Sequence, residues 1–150
     1  MTEERAYIIE VNELETRLHD LASACQKLKQ VVSEDTAELW VNIDHGFRRR
    51  NFLERLFGVS DRRIEICFWL AKAGDVAAIT FLDGAESEYN ATDLDYPTRP
   101  TAEQRMALSR GELTPAPVEV CLQADRAIRA AIEYLESGQR PGWLVYRCVG

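Results

Sequence analysis

The side chains in this chain that could do chemistry are few, and their spacing does not suit catalysis. Cys25, Cys67, Cys121 and Cys148 stand far apart, with no CxxC pair. Two fall in predicted strands and one on an apolar helix stripe, so buried free thiols are expected. The only histidines are His19 and His45, and neither stands at zinc-ligand spacing from a cysteine. His19 lies next to Asp20 on a predicted helix among Glu15, Thr16, Ala22 and Ser23, the surroundings of a surface residue. The DHG of 44–46 reads as a turn. Cys67 and Trp69 share a strand face, but no base stands near Cys67 in sequence to activate a thiolate. There is no GxGxxG, P-loop, GxSxG or HExxH. The expectation is a protein without catalytic residues, metal or cofactor. A small enzyme using Cys67 or His45 is the weaker alternative, and a non-catalytic adaptor module is another.

Composition narrows the partner. The chain has 150 residues, 46% of them hydrophobic, and a net charge of −7. That length fits one domain over residues 1–150 with a substantial core. Phosphate binding is driven by Lys and Arg, so direct nucleic-acid binding is not expected. An acidic protein can instead cover a basic surface on another protein. No stretch approaches the roughly 20 apolar residues of a membrane span. The N-terminal MTEERAYIIEV has no apolar signal region, so a cytoplasmic protein without a membrane partner is predicted.

The elements that must position these residues follow from periodicity. AYIIEV (6–11) is β-rich. Asn12 and Glu15 form a capping-box pattern that predicts a helix from residue 12, with an apolar face of Leu14, Leu18, Leu21, Cys25, Leu28 and Val32. AELWVNI (37–43) alternates as a strand. Residues 44–63 are basic, with a run at Arg48–Arg50 read as a solvated or partner-facing patch. Phe47, Phe52, Leu53, Leu56 and Phe57 predict a long loop or short helix docked on the core. RIEICFWLA (63–71) and VAAITFLD (76–83) predict an antiparallel hairpin turning at Lys72–Asp75. Residues 83–100 read as a long acidic loop, functional or flexible. A short helix spans 101–111, capped by Thr101 and Gln104 and stopped by Gly111. VEVCL (118–122) alternates as a strand. A helix follows with a stripe of Ala124, Ile128, Ala131 and Leu135. Gly138 ends it, Pro141 forbids its continuation, and GWLVYRCV (142–149) closes the chain as a strand.

This order predicts an α+β fold, a mainly antiparallel sheet with helices packed on one face. The predicted core is Ile64, Ile66, Phe68, Leu70, Ile79, Phe81, Ile128 and Leu135. Pro141 and Trp143 are read as structural, with Trp143 covering the helix end.

The C-terminal segment GELTPAPVEVCLQADRAIRAAIEYLESGQRPGWLVY resembles the signature of the first-named immunity-protein family of bacterial polymorphic toxin systems. The residues that carry the likeness are Pro117, Ala127, Ala131, Tyr134, Leu135, Gly138, Pro141 and Trp143. The hairpin leading into ITFLDGAESEYNA, with Tyr89, is similar to that family's core. Here the closing strand holds Tyr146 and carries Trp143 at its start, a departure from members that end the strand with tryptophan. The resemblance implies a cytoplasmic antitoxin that binds and blocks a cognate toxin domain, a nucleic-acid deaminase ahead of a nuclease. Such toxins need basic substrate channels, which an acidic inhibitor complements. The expected contact residues lie in and beside the acidic loop: Asp83, Glu86, Glu88, Asp93 and Asp95, with Tyr89 and Tyr96 as apolar anchors.

Overall fold

The computed structural model describes residues 5–47, 52–57, 62–83 and 87–149. The strands are β1 (Ala6–Val11), β2 (Leu14–Leu18), β3 (Thr36–Phe47), β4 (Arg62–Ala73), β5 (Val76–Asp83), β6 (Ser87–Thr92), β7 (Leu122–Gln123) and β8 (Val145–Cys148). The helices are α1 (Leu21–Val31), α2 (Phe52–Leu56), α3 (Ala102–Ala107) and α4 (Ala124–Ser137). All strands join one antiparallel sheet in the order β2-β1-β3-β4-β5-β6-β8, with β7 on the first residues of β5. The fold is α+β, as the element pattern predicts.

The main core lies between one sheet face and α1 and α4. Tyr7, Ile9, Leu39, Val41, Phe68, Leu70, Ile79 and Phe81 meet Ala24 and Leu28 of α1 and Ala127, Ala131, Tyr134 and Leu135 of α4. Alanines let α4 lie close to the strands, and Gly138 ends it at φ 74° with its N–H on Tyr134 O at 2.7 Å. The buried side of α4 centres on Ala127, Ala130, Ala131 and Tyr134. Ile128, predicted in the core, therefore sits at its half-buried margin. A second cluster occupies the opposite face, where Trp69, Ala71, Ala73, Val76 and Ala78 are covered by Leu108, Ala116 and Cys121. The two long helices thus share one face, and the segment following α3 covers the centre of the other.

Four expectations are corrected. The helix predicted from residue 12 begins at Leu21, capped by Asp20, whose carboxylate accepts from Ser23 N at 2.7 Å. Residues 12–18 are a two-residue turn and β2 instead. Asn12 and Glu13 both have positive φ, 51° and 67°, the signature of a type I′ hairpin, and Leu14 is 75% exposed. Second, Ile64 and Ile66 do not enter the core. Val41 pairs with Phe68 and Asn42 with Ile66, leaving Cys67 unpaired in a β-bulge. The extra residue reverses the alternation, so Cys67 and Phe68 both face the main core while Ile64 and Ile66 turn to the other face, 50% and 44% exposed. Third, Phe52, Leu53, Leu56 and Phe57 of the α2 region do not dock on the core but are exposed. Arg48–Arg50 lie outside the described residues. Fourth, β6 forms inside the predicted acidic loop, and the strand expected over 118–122 is a 3-10 turn, Val118–Val120, followed by the short β7. The hairpin of β4 and β5, the Thr101–Gln104 capping box and the C-terminal order of helix, turn and strand match the sequence reading, although the closing strand is confined to Val145–Cys148.

Candidate partner-binding surface

Because part of the acidic segment is a strand, neighbouring side chains in it point to opposite faces. Glu88 lies opposite Leu82 and Tyr89 opposite Phe81, so Tyr89 faces α4 and Glu88 faces away. The seven predicted contact residues therefore do not converge on one patch. Glu86 lies outside the described residues. Asp83, at the end of β5, and Asp95 are exposed, and Tyr96 is 46% exposed. Glu88, Tyr89 and Asp93 are engaged by arginines of the same chain.

On the outer face, Glu88 makes a two-pronged pair with Arg110 at 3.1 and 3.3 Å. The Arg110 guanidinium lies 5.2 Å from the Trp40 ring and 5.3 Å from the Trp69 ring. Its backbone takes the left-handed φ of 55° beside Gly111 at 76°, a conformation unusual for arginine that places this side chain over the tryptophans. Trp69 is fixed in turn by its indole N–H, which donates to Glu38 at 2.8 Å.

On the helix side, Asp93 is buried and accepts from Arg126 Nε at 2.7 Å and Nη2 at 3.3 Å. Those hydrogen bonds push the Arg126 pKa further up. Its guanidinium lies 3.9 Å from the Tyr96 ring and 4.3 Å from the Trp143 ring. Trp143 donates to Glu133 at 2.7 Å, and Glu133 also holds Arg129 at 3.0 Å. Arg126 thus joins the 93–96 segment to Trp143, which packs along α4 at Arg126, Arg129 and Glu133 and ties the C-terminal turn to the helix, in place of covering the helix end. Pro141 is buried, and its carbonyl accepts from Tyr146. Arg140 covers Tyr89, 3.9 Å from its ring.

Between the ends of β4 and β5 and the turn after α4 lies a cavity of about 440 Å³, lined by Glu65, Leu82, Asp83, Tyr134, Arg140, Tyr146 and the turn backbone. Glu65 bridges His45 Nε2 at 2.8 Å and the Tyr134 hydroxyl, which donates at 3.3 Å. Burial pushes the Tyr134 hydroxyl pKa up. Cys67 is fully buried beneath this group, and burial followed by the Glu65 charge pushes its thiol up to about 12. His45 thus has an orienting carboxylate, but the nearby sulfur is a protonated thiol at neutral pH, a poor nucleophile.

None of the four cysteines is in a disulfide; Cys67 and Cys121 are buried, Cys25 half-buried and Cys148 exposed. Among the described residues no helix is long and apolar enough to cross a membrane, and no three His, Cys, Asp or Glu side chains group as a metal site. Sequence reasoning missed Arg110, Arg126 and Arg140 because each acts through tertiary contacts, from the turn after α3, from α4 and from the turn after α4, that no local period marks. The one available signal was RAIRAAIEYLESGQRPGW itself, which sets three arginines beside aromatic residues.

The chain matches no family model and no curated protein sequence.

Proposed function

We propose that this chain is a cytoplasmic immunity protein that binds and neutralises a cognate polymorphic toxin. The partner is a basic domain acting on nucleic acid, a deaminase in preference to a nuclease, and inhibition works by covering its active site. The observation that carries this reading is the organisation of the C-terminal unit. Ala127, Ala131, Tyr134 and Leu135 are buried against the sheet, Gly138 turns the chain, Pro141 is buried, and Trp143 locks the turn to α4. These are seven of the eight residues that carry the resemblance, and they form one rigid scaffold beside an open cavity. A rigid scaffold with exposed carboxylates at Asp83 and Asp95 suits recognition of a basic surface, because pre-organisation cuts the entropic cost of binding. The charge of −7 adds electrostatic steering.

Copurification tests this. The chain is co-expressed with the toxin domain encoded beside its gene, and cell survival and complex formation are measured. Survival together with a stoichiometric complex is expected. Unrelieved toxicity with the two proteins eluting apart would sink the reading.

A further inference from the structure

Arg110, Arg126, Arg129 and Arg140 each lie over an aromatic ring. In three of them a carboxylate completes the site: Glu88 on Arg110, Asp93 on Arg126 and Glu133 on Arg129. Arg140 differs. Its guanidinium lies 3.9 Å from the Tyr89 ring and 4.9 Å from the Tyr146 ring, and among the described residues no carboxylate pairs with it. A guanidinium over a ring keeps its N–H edge available, and that fork matches a carboxylate with two parallel hydrogen bonds. The backbone carrying it is fixed on both sides. Gly138 is bonded to Tyr134, and Pro141 is buried and bonded by Tyr146. Arg140 is thus pre-organised for an acid that the described residues do not supply.

The adjoining cavity limits what that acid can be. Asp83 and Glu65 line it together with Arg140. Glu65 is already held by His45 and Tyr134, whereas Asp83 is exposed and among the described residues has no cation on it. A lone anion would meet the field of Asp83. An acidic side chain carried next to a basic one satisfies both groups. We propose that this cavity anchors a segment of the partner protein in which an Asp or Glu adjoins a Lys or Arg. The acid takes the Arg140 fork, and the base meets Asp83. The identity of the partner as a toxin domain rests on the function proposed above; the chemistry of the cavity does not.

Two titrations of the full chain test this. In the first, calorimetry with the toxin domain encoded beside the gene compares wild type with Arg140→Gln, Arg140→Lys and Asp83→Asn. Loss of a bidentate charge-assisted pair should weaken binding about 10- to 100-fold in Arg140→Gln. Arg140→Lys should recover only part of that, since an ammonium lacks the fork. Asp83→Asn should cost roughly 2- to 5-fold. Melting temperatures show that each variant is folded. Binding of Arg140→Gln within about twofold of wild type overturns the inference and leaves the proposed function standing. In the second, the Arg140 Nε–H resonance is followed during addition of the blocked dipeptide acetyl-Glu-Lys-amide. A saturable shift that disappears in Asp83→Asn supports the cavity even if the toxin domain does not bind and the proposed function falls. A shift that does not saturate, or that acetate reproduces equally in Asp83→Asn, overturns it.

Discussion

The two halves of β4 carry the same kinds of residue and meet opposite fates. Ile64 and Ile66 are about half exposed, whereas Phe68 and Leu70, on the same strand, are completely buried. All four occupy even positions, and a regular strand would put them on one face. Cys67 separates the halves as the unpaired residue of a bulge. Hydrophobicity alone therefore does not decide which side chains build this core; the local register does. On the far side of the bulge the strand instead turns Glu65 towards α4, where it meets Tyr134. The bulge thus sets both the limit of the core and the polar wall of the cavity that holds Arg140.

The largest effect expected from that contrast is in the buried half. Phe68 is 0% exposed and makes edge contacts with Phe81 and Tyr134 at ring-centroid distances of 5.9 and 5.8 Å. Phe68→Ala should destabilise the fold by about 3–5 kcal/mol, the cost of the lost burial plus a cavity that a three-ring cluster cannot close. Denaturant unfolding measures it. A loss under about 1 kcal/mol would mean that Phe68 is not the pivot of this core.

How much of this was legible follows the same line. The hairpin of β4 and β5 stood out because alternation and the Gly74 turn agree, and Gly74 takes φ 62°. The C-terminal unit was legible because glycine, proline and an apolar stripe punctuate it. The bulge at Cys67 was not, because ICFWL is apolar at every position and offers no polar residue to mark the change of face. The β1–β2 turn was hidden because Asn12-Glu13 lacks the glycine that usually announces a type I′ hairpin, while Leu14 and Leu18 prolonged the helical spacing. The candidate contact surface was the least legible. Carboxylates at 83–95 read as one charged loop, yet Glu88 and Asp93 are claimed by arginines 22 and 33 residues away. Such pairing depends on topology and leaves no local pattern.

A smaller effect comes from the bulge residue itself. The Cys67 thiol is raised from 9.0 to about 12, chiefly by burial. Between those values the unfolded chain has released this proton while the folded chain retains it. The unfolded state then binds fewer protons, so stability falls as pH rises. The contribution is fully present below pH 9.0 and is lost as pH rises through about 12. Melting temperatures from pH 8 to pH 11 should therefore decline less steeply in Cys67→Ala than in the wild type, although the variant starts lower at neutral pH because a small cavity is left. Parallel curves would show that the Cys67 proton is not held by the fold.

The smallest effect is expected in the exposed half, and it is the most discriminating. Ile66→Thr keeps a β-branched side chain suited to a strand and removes apolar surface from a position that is 44% exposed. Without a buried cavity or an unsatisfied polar group, the change in stability should lie within about 0.5 kcal/mol. The same substitution in a strand without the bulge would put a hydroxyl into the main core and cost several times more, since burying an unpaired hydroxyl costs about 1–3 kcal/mol in proteins. Denaturant unfolding of Ile66→Thr beside Phe68→Ala thus reads the register of β4 directly. A near-neutral Ile66→Thr with a severe Phe68→Ala fixes the change of face at Cys67. Comparable losses in the two would place both side chains on one face and move Glu65 away from Tyr134, removing that wall of the Arg140 cavity.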